Sequence, residues 1–150
     1  MLRLSRLADY AVVIMAYLAR HPGQSSNAKN IAVKTGIAFP TTSKLLKRLT
    51  QHRLLVAQRG IRGGYQLTLP ASDISLLEII QALEGQIALT KCSHAEHRCS
   101  VEKHCMIRDN WRRISAFFQD TLLHISVADL IQPLKLESLL KQPLTLSETR

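Results

Sequence analysis

Cysteine, acidic residues and long apolar runs are all scarce in this chain of 150 residues. Its 3 cysteines are an odd number, which is a poor basis for a disulfide framework, so metal binding or redox chemistry is the better interpretation of them. No apolar run approaches the roughly 20 residues that span a bilayer. The amino terminus also lacks an apolar stretch followed by a small-residue cleavage site. We therefore expect a cytoplasmic protein without a membrane partner.

The usual patterns of a catalytic site are missing as well. The sequence has no nucleophile motif, no phosphate-binding loop ahead of a helix and no paired carboxylates near the cysteines. Its glycine-rich segment at 60–64 is weak support for a nucleotide site, because no strand-to-helix context surrounds it. We expect that the chain is not an enzyme.

Basic residues are in clear excess. The chain has 20 lysines and arginines against 11 aspartates and glutamates, a formal net charge of +9. This excess favours a polyanion as the partner, either nucleic acid or an acidic membrane face, and charge alone does not choose between them. Because 46% of the residues are hydrophobic, the chain can bury one core with an extension, but hardly two independent domains.

The first part of the chain has the pattern of a helix-turn-helix. Apolar residues recur at intervals of three and four from Leu4 to Leu18, which predicts an amphipathic helix. Asn27 is placed to cap a short second helix that ends at Gly36, and Pro40 is placed to open a third helix. Two short helices joined by a tight, glycine-bearing turn form a helix-turn-helix.

A predicted hairpin and a fourth helix complete this unit. The runs 54–59 and 65–69 predict paired strands joined by a glycine-rich loop, as in a wing. Ser75 and Glu78 form a capping box ahead of a helix that ends at Gly85. The sequence thus predicts a mainly α fold with a small β-hairpin, in which residues 1–85 are a winged helix-turn-helix DNA-binding domain.

Three further segments are predicted beyond that domain. Residues 86–105 form a loop that contains the cysteines, residues 106–131 a long C-terminal dimerisation helix, and residues 132–150 a tail. The apolar seam of the helix runs over about 20 residues, or 30 Å, which exceeds what a small winged domain needs to cover its own core. We predict a homodimer; the alternative is that the helix folds back on its own domain. Its apolar seam, at intervals of four and three, comprises Ile107, Trp111, Ile114, Phe118, Leu122 and Ile125.

A basic surface is predicted on the third helix and on the wing. Hydroxyls near the start of the helix and its amino terminus suit phosphates and base edges, and the cations further along suit counterion release. Arg59 and Arg62 project from the wing loop, whose glycines let the backbone approach a minor groove. Each feature alone fits a solvated face, but together they indicate binding to double-stranded promoter DNA. The residues on the outer face of the helix are Thr41, Thr42, Ser43, Lys44, Lys47 and Arg48.

The cysteines predict a metal site whose type the residues leave open. Cys92 and Cys99 are seven positions apart, which on a helix is about 10 Å and too far for one ion or small cluster, so the segment must loop. Cys105 falls near the start of the long helix, where the helix dipole favours a thiolate. Three thiolates hold an iron–sulfur cluster if a fourth ligand joins them, or zinc together with one histidine; ordinary free thiols are the third alternative. The candidate histidines are His94, His97 and His104.

Several segments together resemble the Rrf-type winged-helix transcription regulators, a family that includes the iron–sulfur sensor IscR and the nitric-oxide-responsive NsrR. The resemblance covers residues 1 to about 131, and the combination of the wing motif with the cysteine triplet is specific. Asn110, Trp111 and the segment IQALEGQIALTKC (80–92) resemble the branch that regulates the Suf iron–sulfur assembly machinery. The other matching segments are LRLSRLADYA (2–11), PTTSKLL (40–46) and RGIRGGYQL (59–67).

The resemblance implies an iron–sulfur cluster, whose state changes DNA affinity, on three ligands: Cys92, Cys99 and Cys105. Relatives of the IscR type place a histidine three residues after the third cysteine, where this chain has Arg108. In some NsrR-like relatives an acidic residue of the first helix, donated by the other subunit, completes the cluster, and Asp9 occupies the matching position. His104 and His97 are the other candidates. The gap between the first two cysteines is one residue longer than in some relatives, which leaves both [2Fe-2S] and [4Fe-4S] open.

The resulting expectation is a repressor of iron–sulfur assembly genes in which cluster sensing controls DNA binding. A homodimer would present two winged domains to a pseudo-palindromic operator, with the third helix in a major groove and the wing in the flanking minor groove. Two alternatives stay open: a nitric-oxide or redox-responsive regulator of the same family, and a zinc-stapled DNA-binding protein without sensing.

Overall fold

The computed structural model describes residues 4–60, 63–90, 93 and 104–134. The predicted fold class, mainly α with a small β-hairpin, is confirmed. Among the described residues, none of the helices has both the length and the apolar character required to cross a membrane. In chain order the elements are α1 (Arg6–Ala19), α2 (Ala28–Thr35), α3 (Phe39–Gln51), β1 (Leu55–Gln58), β2 (Gly64–Leu67), α4 (Leu76–Glu84), α5 (Arg108–Leu123) and α6 (Val127–Leu130).

Helices α2 and α3 form the helix-turn-helix. Asn27 caps α2, because its side chain accepts a hydrogen bond from the Asn30 amide at 2.8 Å. Gly36 ends α2 with a φ of 72°, a left-handed conformation that glycine adopts without strain. Pro40 lies in the first turn of α3, where its missing N–H breaks no helical hydrogen bond. These local predictions are confirmed, with α3 beginning one residue earlier, at Phe39.

The wing is an antiparallel hairpin held against the helix-turn-helix. β1 and β2 pair in a register that places Gln58 opposite Gly64. Ser26, which precedes α2, forms a bridge with Tyr65 through two backbone hydrogen bonds of 3.0 and 2.8 Å. Gly64 permits this approach, since a Cβ at that position would lie 2.6 Å from the Ser26 carbonyl oxygen. The backbone therefore links the wing directly to the start of α2.

One hydrophobic core joins α1, α3 and α4. The capping box at the start of α4 is present, with the Glu78 amide donating to the Ser75 hydroxyl at 3.2 Å and the Ser75 amide donating to the Glu78 carboxylate at 2.8 Å. Gly85 ends the helix, as predicted. The fully buried side chains of the core include Ile14, Met15, Ile31, Leu45, Leu46, Leu49, Ile79 and Val127.

The long helix is shorter than the prediction of 106–131. Helix α5 has 16 residues and ends at Leu123. Ile125, predicted on its seam, instead lies beyond it and is buried in the core, 7% exposed. Its carbonyl accepts a hydrogen bond from the Leu76 amide at 2.7 Å, and Val127 is fully buried beside α1. The chain therefore returns to the winged domain after α5. Of the predicted tail, residues 135–150 lie outside the described part.

A second capping box explains where α6 begins. The Asp129 amide donates to the Ser126 hydroxyl at 3.2 Å. The Asp129 carboxylate accepts from the amide and the hydroxyl of Ser126, at 2.9 and 2.6 Å. These bonds favour the ionised carboxylate and lower the pKa of Asp129. The box starts a new helix at a point where the apolar period of α5 continues in the sequence.

Candidate DNA interface and cysteine site

Helix α3 has a basic face that points away from the core. Leu45, Leu46 and Leu49 are 1%, 0% and 0% exposed and hold the helix against the rest of the domain. Lys44 and Lys47 are exposed on the other side. The predicted residues that lie half-buried beside these lysines are Thr41, Ser43 and Arg48. This face has the charge and the short polar side chains that suit a phosphate backbone and base edges.

Thr42 does not belong to this face. It is 0% exposed. Its hydroxyl donates to the Ile37 carbonyl at 3.2 Å and lies 3.3 Å from the carbonyl of Ala38. The prediction that Thr42 contacts DNA is wrong, because its position falls on the same helical stripe as the buried leucines. The hydroxyl instead ties the turn between α2 and α3 to the first turn of α3.

We expect the Thr42→Val substitution to lower the free energy of unfolding by about 1 kcal/mol, because the buried Ile37 carbonyl loses its donor. The salt dependence of DNA binding should not change, since the side chain is inaccessible. Chemical denaturation and a salt titration of DNA binding check the two parts. An unchanged free energy of unfolding combined with weaker DNA binding would show that Thr42 does contact DNA.

The amino terminus of α3 is open. Ala38 occupies the N-cap and has no side-chain oxygen to accept hydrogen bonds from the first-turn amides. Ala38, Phe39 and Pro40 are all exposed. The positive end of the helix dipole therefore points outward at the start of the basic face, an arrangement that favours an anion such as a phosphate.

The wing loop is tight. The Gly63 amide donates to the Gly60 carbonyl at 2.9 Å. A Cβ on Gly63 would lie 2.3 Å from the Gln58 carbonyl oxygen, so this position requires glycine. Arg59 is exposed at the end of β1, and Arg62 lies outside the described residues. The hairpin thus presents Arg59 directly before Gly60, whose carbonyl lies close to the Gly63 amide.

Cys105 is the cysteine within the described part of the chain, whereas Cys92 and Cys99 fall outside it. Its thiol is free and half-buried. Its carbonyl accepts a hydrogen bond of 3.4 Å from the Arg108 amide, at the first residue of α5. Among the residues that the structure describes, which include this one thiol, no group of three or more His, Cys, Asp or Glu side chains is placed to hold a metal.

The predicted fourth ligands are also partly placed. His104 is exposed directly before Cys105. Asp9 is exposed in the first turn of α1. His94 and His97 lie outside the described residues. Both placed side chains are therefore exposed and accessible to other groups.

Residues 86–90, here called the strap, lead toward Cys92 and run along α5. The Gln119 side-chain amide donates to the Ile87 carbonyl at 2.6 Å. The Leu89 amide donates to the Ser115 hydroxyl at 3.4 Å. Ser93, directly after Cys92, donates from its hydroxyl to the carbonyl of Trp111 at 3.2 Å. Since the partners on α5 run backwards from 119 to 111, the strap is antiparallel to the helix and leads to the end where Cys105 lies.

The spacing of these hydrogen bonds agrees with the rise per residue of α5 and of an extended strap. Four helical residues rise about 6 Å, and two extended residues span about 6.6 Å, so Ile87 and Leu89 match one turn of α5. Beyond Leu89, the Ser93 amide donates a hydrogen bond to the Thr90 carbonyl at 3.0 Å.

Comparison with known proteins identifies the family. The family model described as Rrf2, iron-dependent transcriptional regulator, matches residues 4–133. The chain belongs to the Rrf2 family. It is 32% identical over 127 residues to the HTH-type transcriptional regulator IscR of Vibrio atlanticus. The alignment covers 81% of this chain and 73% of the relative.

Two solved structures of Rrf2 type have the same fold. CymR (YrzC), described as the global cysteine regulator of B. subtilis, superposes with a TM-score of 0.70 at 27% identity, covering 87% of this chain and 97% of the other. T. potens IscR superposes with a TM-score of 0.66 at 29% identity, covering 87% and 86%. The chain is thus a transcriptional regulator of the Rrf2 family and not an enzyme, as predicted.

Sequence reasoning missed the residues of α5 that hold the strap. Ser115 is 3% exposed and is the buried side chain of α5, a helix that is described throughout. A signal was available, because Trp111, Ser115 and Gln119 are spaced by four and share one face. Two polar residues on the inner face of a helix predict a polar partner, which here is the backbone of the strap.

Proposed function

We propose that this Rrf2-family chain is a cytoplasmic, homodimeric repressor of iron–sulfur assembly genes that senses an iron–sulfur cluster. The observation that carries the proposal is the anchoring of the strap to α5. It leads the segment that precedes Cys92 toward the end of the helix next to Cys105. The similarity to proteins named IscR supports the same function.

The proposed DNA complex uses both basic features of the winged domain. Helix α3 enters a major groove, with Lys44 and Lys47 near phosphates and the open amino terminus near base edges. Arg59 and Arg62 of the wing contact the flanking minor groove. Because the Ser26–Tyr65 bridge joins the wing to α2, both features address one half-site, and a homodimer addresses a pseudo-palindromic operator.

The donor set fits an iron–sulfur cluster in its chemistry. Thiolates are the usual protein ligands of such clusters. The thiol of Cys105 is free and half-buried, three residues before α5 begins. Cys105 would hold the cluster together with Cys92 and Cys99, as either [2Fe-2S] or [4Fe-4S]. When bound, the cluster supplies a redox-active link between these thiolates.

Asp9 is our first candidate for the fourth ligand, donated across the dimer, and His104 is the second. The exposed position of Asp9 on α1 is what such donation requires. The start of α1 is also tied to the end of α4, since the Ser5 amide donates to the Glu84 carboxylate at 2.7 Å. A bond from Asp9 to the cysteine loop of the other protomer would fix the angle between the two α3 helices, and its loss would release them.

The dimer would form along an apolar stripe on α5. Its polar face with Ser115 and Gln119 contacts the strap, so the stripe lies on a different side of the helix. The stripe includes Ile107, Ile114, Phe117 and Phe118, which are 54%, 46%, 40% and 44% exposed. Four large apolar side chains on one exposed side of a helix favour a partner surface, and a second copy of the same helix is complementary to it.

We expect the Phe118→Glu substitution to convert the dimer into a monomer, because it buries a charge in the proposed interface. The fold should persist, since Phe118 is 44% exposed in the single chain. Analytical ultracentrifugation measures the result. Ala116→Glu is the matched control on the other side of α5, where Ala116 is exposed, and it should leave the dimer intact. A dimeric Phe118→Glu protein would exclude this face as the interface.

Anaerobic purification tests the proposed cofactor. The protein should show visible charge-transfer absorbance, with iron and acid-labile sulfide in stoichiometric amounts. A colourless protein with one zinc per chain would instead support a zinc-stapled DNA-binding protein. A colourless protein without metal would contradict both.

A second candidate is a redox-responsive regulator of the same family. The similarity to CymR favours it, because one solved CymR structure is described as an oxidized form. This candidate predicts an iron-free protein whose DNA affinity changes when the thiols are oxidised. One experiment separates the two candidates. Removal of iron and sulfide under reducing conditions should change the DNA affinity of the cluster sensor only.

A further inference from the structure

Two large apolar side chains are exposed on the helix-turn-helix. Val33 of α2 is 74% exposed, and Phe39, the first residue of α3, is 52% exposed. They line an open groove between the two helices, together with Lys29, Gly36 and Ala38. Neither side chain contributes to the buried core, so folding of the single chain does not account for them.

Phe39 occupies a position with a specific relation to DNA in the proposed complex. The first residues of a recognition helix contact base edges in the major groove. Here the first two residues of α3 are Phe39 and Pro40, whose side chains offer no hydrogen-bond donor or acceptor. Side-chain contact at this end of the helix is therefore apolar. The methyl group of thymine is the apolar group on the major-groove edge of the bases.

The surroundings of the groove favour DNA as its partner. Lys29 lines the groove beside the two apolar side chains, and Lys34 on α2 and Lys44 on α3 are exposed on the same two helices. Cations on both helices attract a phosphate backbone and disfavour an apolar protein segment without acidic residues. The apolar patch and its charged surroundings together match a base edge flanked by phosphates.

We propose that Phe39 reads the methyl group of a thymine in each operator half-site. The inference rests on the proposed DNA-binding mode, in which α3 enters the major groove. It adds a specificity-determining residue to a helix whose other proposed DNA contacts come from cations and short hydroxyls. It also predicts that a T·A pair occupies the position next to the start of α3.

The test uses an operator selected from random DNA by the full-length protein, with each thymine replaced in turn by deoxyuridine, which lacks the methyl group. Wild-type protein should lose about fourfold in affinity at one thymine per half-site, which is the effect expected when one buried methyl group is removed from the interface. The Phe39→Ala protein should bind both forms of that site equally. Its response at every other thymine should match that of wild type.

Two further variants keep the test decisive. Val33→Ala changes the same groove on α2 and should retain the wild-type response to deoxyuridine. Phe39→Leu keeps an apolar side chain and should retain part of the response to deoxyuridine. This variant tests the inference even where Phe39→Ala impairs folding. Equal responses of Phe39→Ala and wild type at every thymine would overturn the inference and leave the groove for a protein partner. A wild-type protein that selects no DNA sequence would overturn the proposed function as well.

Discussion

Replacing Cys105 with serine should abolish cluster binding. A serine hydroxyl is a far weaker ligand for iron than a thiolate, and Cys105 is one of three thiols in the chain. Iron and acid-labile sulfide should fall from stoichiometric amounts to background, and the visible absorbance should disappear. The dimer should remain, because the apolar stripe of α5 is unchanged. Elemental analysis and absorbance spectra of anaerobically purified protein measure the effect.

Met106→Ser is the matched control for this substitution. Met106 is adjacent in sequence and 98% exposed, so its replacement introduces the same side chain without removing a proposed ligand. It should retain full colour and iron content. Stoichiometric iron and wild-type absorbance in the Cys105→Ser protein would remove Cys105 from the ligand set.

Replacing Lys44 with alanine should weaken operator binding and flatten its dependence on salt. Lys44 is exposed on the basic face of α3, where we propose a phosphate contact. Each phosphate contact contributes about 0.9 to the slope of log K against log salt concentration, so a homodimer with two half-sites should lose about 1.8. The measurement is a titration of operator affinity at several salt concentrations.

Arg113→Ala removes the same charge from a different place and serves as the control. Arg113 is exposed on α5, away from α3 and the wing, and its loss should leave the slope nearly unchanged. If both variants changed the slope equally, net charge alone would account for the effect. An unchanged slope in the Lys44→Ala protein would mean that α3 does not face the phosphate backbone.

Local chemistry made much of the fold predictable. Asn27, Gly36 and Pro40 each act on their own backbone or the next turn, and the structure has each in its predicted role. The capping box of Ser75 and Glu78 likewise depends on residues three positions apart. Such features do not require knowledge of the tertiary structure, so the winged helix-turn-helix followed from the sequence.

Tertiary contacts explain where the predictions went wrong. The apolar period of α5 continues to Ile125 in the sequence, but the capping box at Ser126 begins a new helix there. Ile125 is then buried in the core, and its carbonyl accepts a hydrogen bond from the backbone at the start of α4. Thr42 was different, since it lies on the stripe of Leu45, Leu46 and Leu49, and its burial could have been predicted from that spacing.

Sequence patterns did not show which strap residues Ser115 and Gln119 bind, for a physical reason. Ser115 and Gln119 bind backbone atoms, the Leu89 amide and the Ile87 carbonyl. Backbone groups are the same at every residue, so the sequence contains no sign of which strap residue each side chain meets. The long helix was predicted, but the alignment of the segment before Cys92 along it emerged from the structure.

The most direct test of cluster sensing is the operator affinity of one protein preparation with and without its cluster. The dissociation constant should be measured without oxygen at one fixed salt concentration, before and after iron and sulfide are removed. Coupling between cluster and DNA predicts that the two constants differ by about 5- to 150-fold, and that the Cys105→Ser protein matches the cluster-free value throughout. Equal constants for the two forms would contradict cluster sensing and leave a winged-helix regulator that binds DNA without responding to iron.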